Sequence, residues 1–120
     1  MRNKIQKTRC EKQMLPHFEG ICKTYDKVQT ATAIYLSKLA DDDIISISAN
    51  IDSAVIDGTQ YTTDFVCKKR NGELVVYECA YRKLLTKPLT VKLLEASRNY
   101  WLKRGVTDWV LVIDENGGGL

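Results

Sequence analysis

Between Tyr61 and Lys83, two runs rich in Val, Tyr, Phe and Thr flank the turn residues Arg70-Asn71-Gly72, and no other stretch limits the fold as strongly. The pattern predicts a β-hairpin. Each strand carries one acid, Asp64 and Glu78, and the turn decides whether they meet. A two-residue Asn71-Gly72 turn pairs Asp64 with Cys79 and sends the two acids to opposite faces. A three-residue turn with Gly72 left-handed in a bulge shifts the register by one, setting Asp64 opposite Glu78 and Val66 opposite Val76. Two carboxylates directly across a strand pair repel each other unless a cation lies between them. The second register is therefore a metal-site hypothesis, and it is the one expected here.

The chain around this hairpin has 120 residues, 44% of them hydrophobic and 28% charged, enough for one domain with a real core. A single domain over 1–120 is expected, with a basic arm over 1–20 and a flexible glycine-rich tail over 115–120. The net charge of +3 permits a nucleic-acid partner without demanding one. No run approaches the roughly 20 apolar residues of a membrane helix, and the start lacks the apolar core of a secretory signal. A cytoplasmic protein with no membrane partner is expected. Cys10, Cys22, Cys67 and Cys79 have no C-x-x-C spacing, and His17 is the one imidazole, so a zinc site is disfavoured. Cys67 and Cys79 read as small reduced core residues that do not pair.

In chain order, Val28, Ala31, Tyr35 and Leu39 recur at helical spacing and predict a helix over Thr24 to Ala40 with that stripe inside. Asp41-Asp42-Asp43 reads as a solvated corner. Ile44 to Ser48 alternates as a strand, and Ile51 to Ile56 continues or pairs with it until Asp57-Gly58. After the hairpin and a short loop over Leu84 to Lys87, Pro88 opens a helix that runs to about Arg104 and stops at Gly105. Its expected inner stripe is Val91, Leu94, Arg98, Trp101 and Leu102. Thr107 to Ile113 is so uniformly apolar that it predicts a strand covered on both sides. The order helix, strand, hairpin, helix, strand requires a parallel crossover, so the sheet is mixed and the class is α/β.

That order, with an acid on one hairpin strand and another two residues before position 80, resembles the PD-(D/E)-x-K, restriction-endonuclease-like core. Thr62-Thr63-Asp64-Phe65, Tyr77-Glu78-Cys79-Ala80, Lys92-Leu93-Leu94-Glu95, Arg98-Asn99-Tyr100-Trp101 and Asp108-Trp109-Val110-Leu111-Val112 are similar to the N-terminal nuclease domain of the TnsA family, the endonuclease subunits of heteromeric transposases. The likeness runs from about Thr30 to Glu115. It implies an antiparallel hairpin within a mixed sheet flanked by helices, and metal-dependent hydrolysis of DNA phosphodiesters in transposition or phage DNA processing. In such sites the Asp, the acid before the Lys and a first-helix Glu surround magnesium or manganese, and the Lys helps activate water. The metal stabilises charge on phosphorus and on the leaving 3′ oxygen. Carried over, Asp64 and Glu78 are metal ligands, with the backbone carbonyl of Cys79 beside them.

Two positions depart from that pattern. Ala80 stands where the family has its Lys, and the first-helix Glu position falls on Ala31, with Ala33 the nearest alternative. Three readings are open. Ala80 is an engineered change in a nuclease otherwise complete, or the chain is a natural pseudonuclease that binds DNA or protein as an accessory, or a cation has migrated to Arg82, Lys83 or Lys92. Cleavage is expected to be weak or absent in each of the first two. Lys83, Lys87, Lys92 and Arg98 are the candidates for phosphate contacts. Expected partners are DNA, a transposase or other protein subunit, and a second copy of the chain, since one single-site domain cannot cut both strands alone.

Overall fold

The computed structural model describes residues 10–39, 43–56 and 58–114. Its elements are β1 (Glu11–Gln13), β2 (Cys22–Thr24), α1 (Lys27–Leu39), β3 (Ile44–Ile56), β4 (Thr59–Lys69), β5 (Leu74–Ala80), a 3-10 turn (Arg82–Leu84), α2 (Pro88–Leu102) and β6 (Asp108–Ile113). β3, β4, β5 and β6 form one sheet in that order, antiparallel up to β5 and parallel between β5 and β6. The class is α/β and the sheet is mixed, because the crossover through α2 returns the chain in the direction of β5. β1 and β2 make a separate antiparallel pair.

The central hairpin has the expected three-residue turn. The Lys69 N–H donates to the Glu73 carbonyl at 2.8 Å, and the Gly72 N–H donates to the Lys69 carbonyl at 3.0 Å. Gly72 sits at φ +92°, a left-handed conformation that costs glycine no Cβ clash. Phe65 pairs with Tyr77, Val66 with Val76 and Cys67 with Val75, so the same register sets Asp64 across from Glu78.

Period-two alternation along the strands feeds two cores. On one face α1 packs Val28, Ala33 and Leu36 against Ile47, Phe65, Cys67, Val75 and Cys79. On the other, Trp101 of α2 packs with Val76 and Val106.

Several expectations are corrected. The chain before α1 folds back as β1 and β2 within its described part, so residues 10–20 are not a free arm, and strand β2 occupies Cys22–Thr24 where the helix was expected to begin. Asp26 then caps α1, its Oδ1 accepting the Gln29 N–H at 2.8 Å. The inner face of α1 is Val28, Gln29, Thr32, Ala33 and Leu36, while Tyr35 and Leu39 are exposed. Likewise α2 buries Thr90, Leu94, Ser97 and Trp101, leaving Val91, Arg98 and Leu102 outside. In both helices small polar residues turn inward because they have hydrogen-bond partners there, which an apolar-stripe pattern does not register. β3 continues through Asn50 as one strand, one of the two arrangements expected, whereas among the described residues β6 is an edge strand, not an interior one. Residues 1–9, 40–42, 57 and 115–120, which include the first part of the expected arm, Asp41 and Asp42 of the corner and the expected tail, lie outside the described residues.

Candidate functional site

The facing of β4 changes at Asp64. Phe65 and Cys67 lie in the α1 core, whereas Thr63, which by alternation belongs on the same face, accepts the Trp101 indole N–H from α2 at 3.0 Å. On the neighbouring strand, Asn50 has φ +58°. The ladder holds on either side of it, with Ala49 opposite Phe65 and Ile51 opposite Thr63. Asparagine is among the few residues that tolerate this conformation, through its short polar side chain.

At this break the acids are buried, Asp64 at 1% exposure and Glu78 at 0%. Asp64 Oδ2 accepts the Cys79 N–H at 2.7 Å, and Glu78 Oε1 accepts the Asp64 N–H at 3.1 Å. Carboxylates thus take places that backbone carbonyls hold elsewhere along the hairpin. Asp64 Oδ1 accepts from Gln29 Nε2 of α1 at 3.2 Å, while Glu78 Oε2 accepts from Ser97 Oγ of α2 at 2.5 Å. The register brings the acids together, but their outer oxygens are drawn to opposite helices and not into one pocket.

Each link in this network has a fixed polarity. Gln29 Oε1 accepts the Tyr25 N–H at 2.9 Å, so the amide nitrogen must face Asp64 and also Asn50 Oδ1, 2.8 Å away. Asn50 Nδ2 donates in turn to the Lys23 carbonyl at 2.8 Å. At the other end Ser97 Oγ accepts from Trp109 Nε1 at 3.2 Å while giving its proton to Glu78. The chain of bonds is anchored on backbone groups and an indole, and flipping either amide would set oxygen against oxygen. It ties β2, β3, α1, β4, β5, α2 and β6 together.

Gln29 was not found by sequence reasoning. Of the two expected first-helix positions, Ala31 is exposed and Ala33 is buried in the α1 core. The usable signal was an Asp26-x-x-Gln29 step at a helix start, an arrangement in which the glutamine turns back over the cap. Ala80 is the last residue of β5 and 2% exposed. Beyond it Tyr81 leads into the 3-10 turn, so strand alternation does not carry Arg82 or Lys83 to the acids, and both are exposed. Cys79 touches Asp64 through its N–H and places its thiol 3.4 Å from Thr32 Oγ1. Lys83, Lys87, Lys92 and Arg98 are all on the surface.

The chain matches no family model and no curated protein.

A divalent cation of the magnesium type needs several free oxygens converging on one point. Here the described oxygens of Asp64 and Glu78 already accept N–H and O–H groups, the helix side chain offers an N–H, and no three His, Cys, Asp or Glu among the described residues gather as ligands. This donor set does not fit such an ion. The cysteines do not compensate: burial pushes the Cys67 thiol up to about 12 and Cys22 up to about 11, so both stay protonated and are poor ligands or nucleophiles.

Proposed function

We propose that this is a restriction-endonuclease-like domain of TnsA type that no longer cuts DNA and serves as a DNA-binding accessory in transposition or phage DNA processing. The observation that carries the reading is the Gln29 amide on Asp64: a nitrogen donor occupies the side from which a third oxygen ligand would come. Ala80 removes the cation that would hold an attacking water. A single engineered change at position 80 would leave Gln29 unexplained, and the two hydrogen bonds that Gln29 Nε2 donates, to Asn50 and Asp64, are ones that a glutamate carboxylate could not reproduce. The support for ancestry is the helix, strand, hairpin, helix, strand order with Asp64 and Glu78 in register.

In this reading Lys83, Lys87, Lys92 and Arg98, exposed on the turn after β5 and along α2, contact phosphates as positive charges, with no base read directly. The acid network ties the end of β5 to α2, the two elements from which those cations are presented.

The test is a plasmid-nicking assay with magnesium or manganese on three proteins: the chain itself, Ala80→Lys, and Ala80→Lys combined with Gln29→Glu. The chain is expected to bind without nicking. Nicking by the double variant establishes the nuclease ancestry, and nicking by the unaltered chain rejects the non-catalytic reading. If the double variant folds but neither binds manganese nor nicks, the ancestry is wrong.

A further inference from the structure

The sequence and the position of β6 disagree. Five consecutive apolar residues, Trp109 to Ile113, suit a strand buried on both faces. Yet among the described residues β6 pairs on one side only, with β5. Val110 and Leu111 are each 36% exposed, and Tyr35 of α1, which lines a groove with Val110, is 59% exposed. Ala31, Tyr35, Tyr77, Val110 and Val112 line an apolar groove of about 790 Å³ between α1 and the sheet edge. No lysine, proline or charge interrupts Trp109–Ile113, and an unblunted edge is a template for another strand.

We propose that the occupant is a second copy of this chain, pairing β6 to β6 antiparallel and joining two four-stranded sheets into one. A two-fold axis normal to the sheet keeps both α1 helices on the same side, so opposed residues share a face. Centred on Leu111, the pairing sets Leu111 against its own copy, Val110 against the partner's Val112, and Trp109 against the partner's Ile113. The two apolar grooves then merge.

Charge decides for a second copy. Asp108, its side chain 64% exposed, stands at one end of β6 on the α1 side, where it meets Lys69 at 3.9 Å. Lys27, exposed, lines the groove at the opposite end beside Ile113 and Asp114. Antiparallel pairing brings Asp108 of each copy toward the partner's Lys27. Asp114 does not oppose this, because its Oδ1 is turned to the Arg82 N–H at 2.6 Å and the residue is 9% exposed. The match is reciprocal, as a two-fold interface requires.

Sedimentation across a concentration series tests this on the full chain. A dimer is expected, and Val110→Lys should raise its dissociation constant about tenfold or more while leaving the circular dichroism and melting temperature near the parent values. Asp108→Lys and Lys27→Asp should each weaken the dimer, and the two together should restore it. In a Cys10→Ser background, Leu111→Cys should form a disulfide-linked dimer on oxidation. A chain that stays monomeric at every concentration overturns the proposal, as does a dimer indifferent to Val110→Lys and to the charge reversals.

Discussion

Gln29 Nε2 donates to Asp64 Oδ1 at 3.2 Å across the junction of α1 and β4. The same nitrogen serves Asn50 Oδ1 at 2.8 Å, and the same amide accepts from Tyr25. One side chain therefore caps its own helix, props a left-handed residue on β3 and satisfies a buried carboxylate. Buried polar groups with this many partners are costly to disturb, because each partner left behind has no water to turn to.

Gln29→Ala should destabilise the fold by about 2 to 4 kcal/mol, the range for stranding buried polar groups. Gln29→Glu should cost about 3 kcal/mol or more at neutral pH, since it turns a donor into a third buried carboxylate. Burial and the neighbouring acids would hold the new glutamate protonated in the fold but not in the unfolded chain. Its penalty should therefore grow as pH rises above about 4 and shrink below that. Urea unfolding of both variants over a pH series checks the sign.

Ser97→Ala removes the hydroxyl between Glu78 Oε2 and Trp109 Nε1. A loss of about 1 to 3 kcal/mol is expected for the two stranded groups. Trp109 lies partly buried against the α2 core, so its indole should also report a changed environment. Chemical denaturation gives the first quantity and tryptophan emission the second; an unchanged denaturation midpoint would place Ser97 outside the network.

Gly72→Ala isolates the hairpin turn. A Cβ at Gly72 would meet nothing within 4 Å, so its cost is the left-handed backbone alone. About 1 to 2 kcal/mol is expected from that strain. Gly72→Asn, which tolerates the conformation better, should recover part of it. Equal melting temperatures for all three proteins would contradict the turn.

The Cys67 thiol is raised by burial from 9.0 to about 12, so in the fold it keeps a proton that the unfolded chain gives up near 9.0. The stability it lends is complete below about pH 9 and falls as pH rises toward about 12, by about 1.4 kcal/mol per pH unit. Comparing the parent with Cys67→Ala in urea at mildly and strongly alkaline pH should show the parent losing more. A parallel fall in both would assign the alkaline loss to other groups.

Much of the fold can be read from residues alone. Arg70-Asn71-Gly72 between β-rich runs specifies the hairpin and, through Gly72, its register. Pro88 and Gly105 bracket α2, and the order of elements forces a mixed sheet. What sequence reasoning misplaced has a common physical cause. Gln29, Thr32 and Ser97 are polar yet buried, because each faces a hydrogen-bond partner brought from a distant strand or from its own helix, and no local periodicity records that. The same reading put Tyr35 inside and Gln29 nowhere. The apolar run of β6 reads as an interior strand because such a run signals burial without saying which surface supplies it. Asp64 and Glu78 were legible as a pair, but their hydrogen bonding was not, since it depends on Asn50 turning left-handed and on helices on opposite faces.

DNA affinity measured by fluorescence anisotropy, once in chelator and once with manganese at matched ionic strength, tests the central claim most directly. The account predicts the same dissociation constant in both, a steep fall with added salt, weaker binding for Lys87→Ala and Arg98→Ala, and intact DNA at the end of each titration. Manganese-dependent binding or a cleaved product from the unaltered chain would contradict it, because Asp64 and Glu78 would then be holding a metal and not the hydrogen bonds that close them off.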